Sequence, residues 1–170
     1  MDNQPIINRV AKSPLKSIDL EDYFPKGETV IYDIADNLYN GMILREKDFR
    51  AFVKDHNWQR YDGKYVALTC SVDAIVPTWA YMVLTAKINA FAKVVVHGDK
   101  KDLFKRMWHL AIEKIEQEDF NNAKVVVKGC GNLPEVEYGY VALTNALVPK
   151  VTSLMYGEPC STVPVYKKRK

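Results

Sequence analysis

An α/β fold built on a mostly parallel sheet is what this chain of 170 residues predicts, and three features predict it. Three short apolar runs, Tyr65-Val66-Ala67-Leu68-Thr69, Lys93-Val94-Val95-Val96-His97 and Lys124-Val125-Val126-Val127-Lys128, are continuous rather than alternating, as in strands buried on both faces. Each is followed by a helical pattern of the length that a crossover between parallel strands needs. Upstream, Thr29-Val30-Ile31-Tyr32-Asp33-Ile34 and Met42-Ile43-Leu44 flank Asn40-Gly41, a strong turn dipeptide, and are expected to pair as antiparallel strands. The expected architecture is a three-layer α/β arrangement of three consecutive strand–helix units. The N-terminal antiparallel pair extends or covers its sheet.

The elements follow in chain order. The first 25 residues have weak periodicity and lead through Phe24-Pro25-Lys26-Gly27 into the first strand. Residues 46–53 place Phe49, Phe52 and Val53 at helical spacing behind acids, which predicts a short helix. The strand at 65–69 precedes a helix expected over 73–91, and the strand at 93–97 precedes one over 102–115. The strand at 124–128 precedes a helix expected over 135–156, kinked or broken near Val148 by Pro149. Gly157 and Pro159 then end helical structure and leave an extended tail. The chain thus reads as one domain over 1–170, with a strand pair and short helix in 1–60, the strand–helix units in 64–156, and the tail in 157–170.

Composition narrows the function classes. A hydrophobic fraction of 48% with 26% charged residues is that of a globular chain. The net charge of +3 is slight, and most of the excess sits in Lys167-Lys168-Arg169-Lys170, read as a frayed, solubilising end. No basic stripe interleaved with aromatics is present, so nucleic acid is not the expected partner. The apolar-rich stretch 74–92 carries Thr78, Thr85, Lys87 and Asn89 and reads as a buried helix, not a membrane span. Met1-Asp2-Asn3-Gln4-Pro5 has no basic or apolar leader character, and three cysteines do not form a disulfide framework. A cytoplasmic, reducing location is expected.

Chemistry is expected at the carboxyl ends of the parallel strands, where open α/β sheets bind ligands. Cys70 follows the first of the three apolar strands, His97 closes the second, and Cys130 follows the third. Thiols and an imidazole on one edge suit zinc or iron, and either thiol could instead serve as a nucleophile. Against this stands the plainer reading of each cysteine as a small buried hydrophobe. No Cys-x-x-Cys or phosphate-cradle spacing is present. Cys160 lies beyond Gly157 and Pro159, and a helix of about 20 residues spans about 30 Å, so it joins the other thiols only if the chain reverses at Pro149. Asp73 is either a carboxylate ligand or a helix N-cap. Trp79 reads as core before it reads as a stacking platform, and His97 as a satisfied strand-end residue before a ligand. Gly129 and Gly131 flank Cys130 in a turn able to offer backbone N–H groups to an anion.

Three segments carry a resemblance. Tyr65 to Tyr81, Val127-Lys128-Gly129-Cys130, and Leu154-Met155-Tyr156-Gly157-Glu158-Pro159-Cys160-Ser161-Thr162-Val163-Pro164 resemble a bacterial family, Domain of Unknown Function 2480, found mainly in Bacteroidetes. Ile18-Asp19-Leu20-Glu21-Asp22-Tyr23 and Glu46-Lys47-Asp48-Phe49-Arg50 extend the likeness over nearly the whole chain. The family carries no established activity. Its genes often lie beside those for sulfur mobilisation in iron–sulfur cluster assembly, so the resemblance implies a role in that metabolism and iron–sulfur assembly proteins as partners. The quoted motifs contain Cys70, Cys130, Cys160 and Asp73; they do not contain His97.

The first functional expectation is an accessory factor that binds zinc, iron or an iron–sulfur cluster through Cys70, Cys130 and Cys160, with Asp73 or Glu158 completing the ligand set. The second is a thiol-dependent enzyme or persulfide carrier using Cys70. The third is a non-catalytic interaction module. Oligomeric state, including a homo-oligomer, stays open.

Overall fold

The computed structural model describes residues 15–129 and 131–169. In order, the elements are β1 (Leu15–Ile18), α1 (Leu20–Tyr23), β2 (Thr29–Asp33), a 3-10 turn (Ile34–Asn37), α2 (Glu46–Asp55), a second 3-10 turn (Trp58–Tyr61), β3 (Tyr65–Thr69), α3 (Thr78–Ile88), β4 (Val94–His97), α4 (Lys100–Ile115), β5 (Lys124–Val127), α5 (Val136–Leu147), β6 (Ser153–Glu158) and β7 (Ser161–Lys167). The α/β class and the mostly parallel strands are as the sequence predicts. The strands, however, divide between two sheets, ordered β2-β3-β4 and β1-β5-β6-β7. Each sheet lies in its own compact unit, one of residues 26–106 and one of residues up to 25 with those from 107 onward; the division falls inside α4.

In the 26–106 unit all three strands run parallel, in chain order. Register aligns Val30 with Val66 and Val95, and Tyr32 with Leu68 and His97. Paired residues share a face of the sheet. That face packs into one apolar core with Phe49 and Val53 of α2, Trp58 and Tyr61, and Ala80, Leu84 and Ile88 of α3. The spacing of Phe49 and Val53, and of Ala80, Leu84 and Ile88, puts each set on one helical stripe.

Two expectations are corrected in this unit. Residues 42–44 are not a strand partner of β2, which pairs parallel with β3 instead. Asp33 caps the turn Ile34–Asn37, its carboxylate accepting from Ala35 N at 3.0 Å, and this takes the chain out of the sheet. Asn40 and Gly41 do form a tight left-handed turn, with φ of 49° and 68°, but it closes only the isolated bridge Tyr39–Ile43. The helix expected from Asp73 begins at Thr78. Pro77 holds Val76 extended, and Ile75 is drawn into a parallel bridge with Ile43, its N–H donating to Met42 O at 3.0 Å.

In the other unit β1, β5 and β6 are parallel and β7 returns antiparallel to β6, with a bulge at Leu154/Met155. Val125, Val126, Val127, Leu143, Leu147 and Leu154 are buried, as is Trp108. The Trp108 ring lies against Gly139, where an added Cβ would come within 2.7 Å of the indole. Its Nε1–H donates to Pro134 O at 2.8 Å, and the Phe24 ring packs against it, tilted by 57° at 4.7 Å between centroids.

The helix expected over 135–156 is corrected too: α5 stops at Leu147, and residues 153–158 are strand. Pro149 has no N–H to continue a helix and disfavours the helical region before it. The chain turns there and returns as β6. The antiparallel pair is therefore C-terminal, β6 with β7, and the extended tail is that second strand.

Candidate functional site

Each sheet has a carboxyl edge, and the sequence-predicted residues distribute between them. At the edge of the 26–106 sheet stand Asp33, Cys70 and His97, at or just past the ends of three adjacent strands. Cys70 is half-buried and a free thiol, and its Sγ–H donates to Val72 O at 3.2 Å. Asp33 accepts from Ser71 N at 3.0 Å as well as from Ala35 N. Its partial burial alone would raise the carboxyl pKa, but the Ser71 hydroxyl and the two N–H donors outweigh burial and hold it below the ordinary carboxylate value. Tyr81 of α3 is raised, chiefly by burial and further by the nearby Cys70 and Asp33. Its ring meets His97 edge-on at 5.2 Å.

The loop after His97 is a helix start. Asp99 Oδ1 accepts from Asp102 N at 3.1 Å while Asp102 Oδ2 accepts from Asp99 N at 3.1 Å, a reciprocal cap on α4. The Asp99 N–H is also the main cause of the lowered Asp102 pKa. Gly98, at φ 131°, leaves room for that carboxylate, since a Cβ there would overlap it. Trp79 packs edge-on against Phe49 at 5.7 Å, with the Arg50 guanidinium 5.4 Å from its centroid. Asp73 is exposed in the loop 71–77 and caps no helix.

The edge of the second sheet has different chemistry. β5 and β6 run parallel with Val127 opposite Tyr156, so β5 leads to Gly129 and β6 to Glu158 at the same end of the sheet. Cys160 sits in the β6–β7 turn at that end, exposed and free. The chain reversal at Pro149 that Cys160 requires is therefore present. Cys130 lies outside the described residues. Lys128 Nζ is 3.4 Å from Asp19 Oδ2, Tyr140 donates to Lys128 O at 3.1 Å, and Tyr140 meets Tyr156 edge-on at 5.4 Å. Gly129 has a spatial reason: a Cβ there would come within 3.1 Å of the Tyr156 hydroxyl. Gly131 has open space around it. The side chains of Glu158 and Cys160 make no hydrogen bond or ion pair with a described residue.

Cys70, Asp73, Trp79 and His97 thus belong to the 26–106 unit, and Gly129, Gly131, Glu158 and Cys160 to the other. Among the described residues no three His, Cys, Asp or Glu side chains gather closely enough to hold a metal ion. Sequence reasoning missed Asp33, Tyr140 and Tyr156. Asp33 had a usable signal, an acid at the end of a β-branched run, the N-cap position of a following turn.

A family model described as a protein of unknown function (DUF2480) matches residues 4–168. No curated protein and no solved structure matches the chain. Among the described residues no helix is long and apolar enough to cross a membrane.

Proposed function

Because the chain belongs to the DUF2480 family, whose description states no activity, we propose from the site alone that the protein is a binding factor for a thiophilic metal ion or iron–sulfur cluster. The site is the carboxyl edge of the β1-β5-β6-β7 sheet. One observation carries the reading: β5 and β6 end side by side, so the turn bearing Cys160 stands at the end toward which β5 delivers Gly129, the residue that Cys130 follows in sequence. The described donors, the Cys160 thiol and the Glu158 carboxylate, fit a borderline or soft metal in kind but are too few alone. Cys130 supplies the second thiolate. These thiolates and the carboxylate would hold the metal or cluster as cargo, in an accessory role to iron–sulfur assembly proteins and in a reducing cytoplasm where thiolates persist.

The test is metal and acid-labile sulfide analysis of protein purified without oxygen, with each cysteine changed to serine in turn. Cys130→Ser and Cys160→Ser should each abolish stoichiometric loading while Cys70→Ser retains it. Loading that is absent from the wild type, or unchanged in both variants, overturns the proposal.

A second reading, a thiol enzyme or persulfide carrier, is favoured by the setting of Cys70 among Asp33, Tyr81 and His97. It makes a prediction that exposure alone does not. Cys160 is the more exposed thiol and should alkylate first on access; faster labelling of half-buried Cys70 at neutral pH would favour the second reading.

A further inference from the structure

The basic C-terminal end was read from sequence as frayed, yet Lys167 and Lys168 at its start are held on the sheet. Lys167 is the last residue of β7, and Lys168 N donates to Thr152 O at 3.0 Å. This sets Lys167, Lys168 and Arg169 beside Lys124, at the start of β5, around a groove of about 660 Å³ on the β1-β5-β6-β7 sheet. The groove lies at the end of the sheet opposite Glu158 and Cys160, since Lys124 and Ser153 begin their strands. Its lining includes Met155, Pro164 and Tyr166, and among the described residues no aspartate or glutamate. None of the four cations is paired with a carboxylate among the described residues.

Elsewhere in the same unit lysines do find carboxylates: Lys150 holds Glu116 at 2.8 Å and Lys128 holds Asp19 at 3.4 Å. Four cations around an apolar floor, with no counter-charge among the described residues, ask for an occupant that is acidic and partly apolar. The chain's own first 14 residues do not complement it, since they carry Arg9 and Lys12 against Asp2. Strand addition at the open β7 edge is disfavoured by Pro164 and by the bulge opposite it. The partner therefore lies across the face. A nucleic acid is more commonly met by several stacking aromatics along a basic track, and the described lining of this groove has one tyrosine.

We propose that this groove docks an acidic segment of a partner protein, its carboxylates on Lys124, Lys167, Lys168 and Arg169 and one or two apolar side chains on Met155, Pro164 and Tyr166. The site is separate from the thiol edge, so its test does not depend on metal loading.

Binding of a fluorescent synthetic peptide of about ten residues, alternating glutamate with leucine and phenylalanine, is measured by polarisation against the full chain. The comparison probes are a peptide with lysine in place of glutamate and a single-stranded oligonucleotide of equal charge. Saturable binding of the acidic peptide is expected, weakened about tenfold or more between about 50 mM and about 500 mM salt. A comparable loss is expected in the double variant Lys124→Glu/Lys167→Glu, whose exposed positions leave the core intact. Met155→Ala should weaken binding at high salt as well as low, reporting the apolar floor. Equal binding by the double variant, no binding of the acidic peptide, or tighter binding of the oligonucleotide overturns the proposal. So does concentration-dependent self-association that the double variant abolishes, which would assign the groove to a second copy of this chain.

Discussion

The two sheets end in edges of opposite character. At the β2-β3-β4 edge the polar groups are already engaged within the fold: the Cys70 thiol donates to Val72 O, Asp33 accepts from two backbone N–H groups, and His97 lies against Tyr81. At the β1-β5-β6-β7 edge the Cys160 thiol and the Glu158 carboxylate are exposed and bonded to no described residue. A satisfied donor at a strand end holds loops in place, whereas an unsatisfied one is available to a ligand. The packing differs in the same sense. The first unit is filled by large rings, Phe49, Trp58, Tyr61 and Tyr32. The second depends on an omission, the absent side chain at Gly139 that lets Trp108 close in.

Substitutions sharpen or break this contrast. Phe49→Ala should have the largest effect, about 3–5 kcal/mol by urea unfolding, because Phe49 is 1% exposed and its removal leaves a cavity in the core. A loss below about 1 kcal/mol would mean that the α2 face is not packed as described. Gly139→Ala should cost about 1–3 kcal/mol, since the new methyl meets the rigid indole. Hydrogen exchange should show the lost protection concentrated in α5 and the helix turn around Trp108; uniform loss over residues 26–106 would break the comparison.

Asp33→Ala should cost about 1 kcal/mol, the worth of a turn cap, and should loosen residues 70–72 through the lost Ser71 contact. The folded-state pKa of Asp33 is depressed, so its contribution is present above the unfolded carboxyl value of about 3.9 and fades as pH falls through the lower folded value. Acid titration of stability should therefore be shallower below about pH 4 in the alanine variant than in the wild type. The smallest effect is expected for Cys160→Ser, within about 0.5 kcal/mol, because an exposed thiol without partners contributes no packing. A larger loss would show Cys160 to be structural and would remove the contrast between the edges.

Much of this was legible beforehand, and the failures have a common cause. The apolar runs at 65–69, 93–97 and 124–128 became β3, β4 and β5 because continuous Val-rich segments bury both faces whatever their partners. Partner choice was another matter. Thr29–Asp33 and the segment around Ile43 looked like a hairpin, since Asn40-Gly41 is a turn wherever it occurs. A turn between two apolar segments does not require them to pair, and the Asp33 cap diverted the chain so that β2 joined β3. Residues 153–156 continued an apolar pattern that fits strand as well as helix. Only the open position beside β5 decided for strand.

The local sequence was enough to set the α/β class, the positions of the strands at β3, β4 and β5, and the placing of Cys70 just past β3, because burial and local backbone preference act over a few residues. Tertiary packing alone divided the described strands between two sheets, set the antiparallel pair at β6 and β7, and put Cys160 at the end where β5 delivers Gly129. It likewise decided that the basic tail is anchored beside Lys124. Strand order and edge partners are set by which hydrogen-bonding edges and apolar faces remain unfilled when the chain closes, and no local pattern records that.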